Sequence, residues 1–140
     1  MKVVLSADGS DESAGALQWC LDHLDGGDTV IAVAGLDGVG EFVIGLPPFD
    51  SLDGEQEMVN GIERDVCAPL TAKGIACEPR LVHHQQAKGV AGVARDENAD
   101  AIVVGKHPHG VIGDVLHSEV ADSLLHEPPC AIVVVPVKKR

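Results

Sequence analysis

The stretch KVVLSADGSDESAGAL, residues 2–17, changes its period in the middle, and that change decides the fold. Its first half is a short apolar run without polar alternation, the pattern of a strand buried on both faces. The run stops at Asp8, Gly9 and Ser10, three residues that favour turns. Ser10 is placed to cap a helix, and Asp11 and Glu12 put carboxylates in the first turn, where the helix dipole favours negative charge. Ala14, Leu17, Leu21 and Leu24 then recur at helical spacing and predict one inward face, until DGGD (25–28) closes the helix. A strand, a turn and a helix have been written in two dozen residues.

The same unit repeats outward. TVIAVAG (29–35) is a second strand. From Ser51 a helix places Met58, Val59, Ile62, Val66 and Leu70 on one face, with Pro69 expected to bend or shorten it. IACEPRLVHH (75–84) is a third strand, followed by a short helix around Val90 to Glu97 that Gly89 and Gly92 weaken. DAIVVG (100–105) is the fourth strand, a helix carrying Leu116, Val120, Leu124 and Leu125 comes next, and AIVVVP (131–136) is the fifth. Uniformly apolar strands alternating with helices predict a parallel α/β sheet covered on both faces. Ligands in such sheets sit beyond the carboxyl ends of the strands. Asp8 and the loop after Gly105 would both lie at that edge.

Composition narrows the function. A chain of 140 residues has the length of one domain, so residues 1–140 are expected to form a single unit. Hydrophobic residues make up 45% and aromatic ones only 2%, which leaves a core of Val, Ala, Leu and Ile. A net charge of −12 repels nucleic acid, and no basic stripe offsets it. No run approaches the ~20 apolar residues of a membrane span, and VVL after Lys2 is too short for a signal peptide, so a soluble cytoplasmic protein is expected. Cys20, Cys67, Cys77 and Cys130 lack metal-ligand spacing and sit among apolar neighbours; reduced, buried thiols are expected.

VVLSADGSDESAGAL (3–17), ADAIVVG (99–105) and PPCAIVVVP (128–136) together resemble the universal stress protein family along essentially the whole chain. The resemblance implies a Rossmann-like five-stranded parallel sheet in the order 3-2-1-4-5, a homodimer, and a role in surviving stress or arrest. It also divides the family, because some members bind ATP and others do not. Binders carry glycine, two residues, glycine, nine residues, then glycine followed by serine or threonine. Glycines let backbone approach phosphate, and the last pair opens a helix whose free N–H groups and hydroxyl receive the anion.

Only the first of those positions matches. Gly105 is followed three residues on by Pro108, and nine residues later by Ser118 and Glu119. Shifting the frame to Gly110 and Gly113 meets Ser123 and Leu124 instead. Pro108 has no N–H to offer. A Glu119 carboxylate ~4 Å from a phosphate would repel it by ~4 kcal/mol near a protein surface, nearly a thousandfold in affinity. It would also satisfy the dipole of the last helix with the protein's own charge. Weak or absent ATP binding is expected, with ATP as the cofactor only if the alternative, a nucleotide-dependent switch or slow ATPase, holds. Asp8 matches the aspartate that binders use near adenine and ribose, although an Asp-Gly-Ser turn also favours a purely local role. Lys106, His107 and His109 could supply positive charge.

The remaining features point the same way. His83 and His84 end the third strand and His107, His109 and His117 follow the fourth, too far apart in the implied strand order to converge on a metal. His84 stands near where the family commonly has glycine. EFVIGLPPF (41–49) is expected to fold Phe42, Ile44 and Phe49 over the open edge of the sheet or to bind a partner. An apolar last strand would be an unprotected edge unless Ala131 to Val135 pairs with a twin across a two-fold axis. No Gly-x-Ser-x-Gly elbow and no Ser-Gly-Gly loop supports catalysis, so no catalytic residue is assigned and an enzyme is not expected.

Overall fold

The computed structural model describes residues 1–36, 52–106 and 119–137. Its strands are β1 (Lys2–Ser6), β2 (Thr29–Gly35), β3 (Ala76–Val82), β4 (Ala101–Lys106) and β5 (Ala131–Pro136). They form one sheet in the order β3-β2-β1-β4-β5, every neighbouring pair parallel. The helices are α1 (Asp11–His23), α2 (Leu52–Ile62), a π-helical turn (Glu63–Cys67), α3 (Ala68–Ala72), α4 (Gln86–Asp96) and α5 (Glu119–His126). Among the described residues no helix is long and apolar enough to cross a membrane.

Period-two alternation in the central strands explains why no polar face is visible in their sequence. Val3, Leu5, Val30 and Val103 turn to one face, beneath α1 and Leu70 of α3. Val4, Ile31, Val33, Ile102 and Val104 turn to the other, beneath Val90 and Val93 of α4 and Ala121 and Leu124 of α5. Both faces are core, so both registers must be apolar. The edges differ. β3 carries Glu78, Pro79 and Arg80, with Arg80 bridging Glu78 and Glu97 at 2.6 and 2.9 Å. The guanidinium of Arg80, and after it Lys2, hold the Glu97 carboxyl below the usual carboxylate range. β5 has no charged residue along its length.

Four local expectations are corrected. In α1 the buried residues are Ser13, Ala16 and Cys20, whereas Ala14 is exposed and Leu17 and Leu21 are half-buried; of the four expected positions Leu24, at the C-cap, is buried. Small side chains turn inward because α1 lies so close to β4 that a Cβ on Gly105 would collide with the backbone of Glu12. In the second helical segment Ile62 and Cys67 are buried and Val66 is only half-buried. The π turn spends five residues where an α-turn spends fewer, which rotates Cys67 inward in place of Val66. The wider turn sits just before Pro69, whose missing N–H breaks the regular ladder there.

The third correction concerns α4, which starts at Gln86, before the predicted Val90. Gly89 is buried against Val82, whose side chain would clash with any Cβ, so close packing requires glycine there whatever it costs the helix. The fourth concerns the thiols. Cys67 and Cys77 are joined in a disulfide with Cα atoms 5.2 Å apart, while Cys20 stays a buried free thiol and Cys130 a half-buried one. Burial pushes the Cys20 thiol up to about 12, which keeps it protonated.

Candidate functional site

The carboxyl ends of β1, β2 and β4 meet the start of α1 at one edge of the sheet, and hydrogen bonds bind β1, β2 and α1 into one frame. Asp8, exposed just past β1, accepts the Ser10 N–H at 3.0 Å and the Ser10 hydroxyl on the same oxygen. Ser10 Oγ in turn accepts the Ser13 N–H at 3.2 Å and so caps α1, as its place in the sequence predicts. The buried Ser13 donates its hydroxyl to the Ser6 carbonyl at 3.1 Å. Gln86 ties the strands together from the other side. Its Nε2 donates to Ser6 Oγ at 3.1 Å and to the Val33 carbonyl at 2.8 Å, and its Oε1 accepts the Gly35 N–H at 2.6 Å. These polar groups at the ends of β1 and β2 are therefore satisfied by protein.

Asp8 stands on a ridge between two hollows. On one side Ala7, Ala34, Met58, Ile62 and Val66 line a mostly apolar hollow of about 200 Å³. On the other, Ser6, Ser10, Glu12, Ser13, Gly105 and Val120 line a space of about 20 Å³. That is room for roughly one water. Lys106, at the end of β4, places its ammonium 2.7 Å from the Asp122 carboxylate of α5 and is mostly buried.

Asp8 and Gly105 are thus brought together, both lining the small space. Pro108 and Ser118 lie outside the described residues, and Glu119 enters as the first residue of α5. His107, His109, His117 and the segment with Phe42, Ile44 and Phe49 also lie outside them. His83 pairs with Glu55 at 3.1 Å on the surface; His84 is exposed, and its backbone carbonyl lies where a Cβ on Gly35 would be. Among the described residues no three His, Cys, Asp or Glu side chains group as metal ligands. Sequence reading missed Gln86, Ser6 and Ser13. Gln86 meets partners 51 to 80 residues away, and no local pattern marks a glutamine for that work.

The model of the Universal stress protein family matches residues 1–136. Among solved structures, a protein of that family from Burkholderia pseudomallei is 24% identical, with 96% of this chain and 95% of that one covered and a TM-score of 0.64. A universal stress protein in complex with cAMP is 17% identical over 99% and 98% of the two chains, with a TM-score of 0.70. A family protein from Arabidopsis thaliana with AMP bound is 12% identical over 99% and 92%, with a TM-score of 0.69. At these identities the likeness is one of fold. A comparison with curated proteins found no match.

Proposed function

The chain belongs to the universal stress protein family, and from that premise we propose that it acts in stress response or signalling through protein contacts, in the cytoplasm, with a degenerate nucleotide cleft that binds ATP weakly or not at all. The observation that carries this reading is the space beside Gly105. Phosphates reaching the first glycine of the family signature would have to enter a gap of about 20 Å³ rimmed by Glu12 and Asp8. Gly105 itself is spoken for, since its bare Cα is what lets the Glu12 backbone pass. Lys106 is engaged by Asp122 and would have to give up that ion pair to serve a phosphate. Pro108, Ser118 and Glu119 add, in sequence, the loss of a donor and the gain of a like charge.

A second reading has its own support. The apolar hollow beside Asp8 is suited to a flat ring, and two structural relatives were solved with AMP and with cAMP. A nucleotide switch would use that hollow. Calorimetric titration with MgATP and, separately, with adenosine divides the two. Binding of adenosine without MgATP binding, or of neither, agrees with the degenerate cleft. A MgATP Kd of about 1 μM or tighter overturns it.

We extend the proposal to a homodimer through β5. Ile132 to Val135 are half-buried apolar residues on a strand that, among the described residues, pairs on one side only, and a two-fold mate would complete the other. A sedimentation mass of one chain at the highest soluble concentration would remove it.

A further inference from the structure

We infer that Cys67 and Cys77 are a redox modification site, a dithiol that a hydroperoxide oxidises to the disulfide and a small thiol reduces again, and that this exchange resets one wall of the hollow beside Asp8. The inference is independent of whether that hollow takes a nucleotide.

The placement of the two sulfurs supports it. Cys67 ends the π turn and is buried, whereas Cys77 is half-buried on β3, an edge strand of the sheet. Their Cα atoms are 5.2 Å apart, inside the usual range for a bridge of roughly 4.4–6.8 Å. The partly exposed member can be reached by a small reagent, and the buried one is positioned to resolve the product. The other two cysteines are poor competitors. Cys20 is fully buried with its thiol raised by burial, and the half-buried Cys130 is raised by burial and then by Asp100.

The chemistry balances with one peroxide. Cys77 takes the distal oxygen, the O–O bond breaks, and water or an alcohol leaves with the thiol proton. Cys67 then attacks the sulfenic sulfur, the S–S bond forms, and a water leaves. Two electrons have passed from two thiols to the peroxide. In reverse, an external thiolate attacks the Cys77 sulfur and expels Cys67, which takes up a proton. A second external thiol then frees Cys77 and departs as a disulfide. In a reducing compartment a bridge of this kind is a transient sensor more readily than a permanent staple.

The mechanical consequence follows from spacing. Met58, Gly61, Ile62, Asp65 and Val66 form the wall of the hollow facing Asp8, and Cys67 is the next residue along. Bonded sulfurs sit about 2 Å apart, while unbonded ones need roughly 3.5–4 Å. Reduction therefore pushes the π turn away from β3 and moves the wall with it.

The test uses the intact chain. Protein reduced with a thiol reagent, then freed of it, is treated with hydrogen peroxide, and its thiols are labelled with iodoacetamide after denaturation. The expected result is labelling of all four cysteines before oxidation and of Cys20 and Cys130 alone after it, reversed by fresh reductant acting on the folded protein. Hydrogen exchange of the backbone over residues 58–66 is expected to be faster by roughly tenfold in the reduced form, with β1 and β4 unchanged. Cys77→Ser should abolish the peroxide dependence while leaving exchange at the reduced-form rate. Persistence of all four thiols after peroxide overturns the proposal. So does a bridge that involves Cys130, a bridge that reductant opens only after unfolding, or equal exchange in both forms.

Discussion

The two hollows share Asp8 and Ser13 and differ in nearly everything else. One holds about 200 Å³ and is walled by Ala34, Met58, Ile62 and Val66. The other holds about 20 Å³ and is walled by serines, Glu12 and the backbone at Gly105. The large one is bounded by the end of α2 and by the π turn that follows it. The small one is closed by α1, whose Ser13 and Ala16 are short enough to let the helix settle against the sheet. An edge of one sheet can therefore hold a roomy apolar hollow beside a narrow polar one. The difference lies in how near each helix comes.

The sharpest way to break that contrast is to reopen the anion side. Changing Pro108→Gly, Ser118→Gly and Glu119→Ser together restores backbone freedom, a helix-opening hydroxyl and a neutral entrance. MgATP affinity is expected to rise by up to roughly a thousandfold, the ~4 kcal/mol of one removed like-charge contact. Titration calorimetry reads it directly. A triple variant that binds no better than the parent means that crowding by α1, not charge, closes the cleft.

Crowding has its own test. Gly105→Ala places a methyl against the Glu12 backbone, and α1 must lift or the strand must bend. The expected loss is about 3 kcal/mol, seen as a fall in Tm of roughly 10 °C. Calorimetric unfolding at the parent's Tm would show that the α1–β4 approach is loose, and the small hollow would then be free to admit a phosphate after all.

What the sequence made legible follows the same divide. β1, β2 and β4 are apolar on both faces, so their runs stand out, and their parallel pairing follows from the helices between them. Ser10 was readable as a cap because capping is local. Close approach is not local. That Ala14 would face solvent and Ser13 the sheet depends on Gly105, ninety residues on. That Cys67 would displace Val66 from the inner face depends on a five-residue turn that a 3.6-residue period does not anticipate. The Cys67–Cys77 bridge was hidden for that reason. Gln86 was hidden because its value lies in three hydrogen bonds to distant strand ends.

The smallest expected effect falls on the ridge itself. Ser10 does two things at once: its oxygen caps α1 by accepting the Ser13 N–H, and its proton occupies one oxygen of Asp8. Two substitutions separate these roles. Ser10→Ala removes both and is expected to cost about 1 kcal/mol, whereas Ser10→Gly costs only a few tenths because glycine is itself a tolerated cap. Both release the Asp8 oxygen from the hydroxyl while keeping the backbone N–H at residue 10. If the hollow beside Asp8 accepts adenosine, both variants should bind it a few-fold more tightly than the parent, since the carboxylate gains an acceptor position for a ribose hydroxyl or a ring amine. Equal gains with unequal stability losses would assign Asp8 to the ligand side of the ridge. No gain in either, with the same unequal losses, would assign it wholly to the turn, and the larger hollow would then have to find its polar anchor elsewhere.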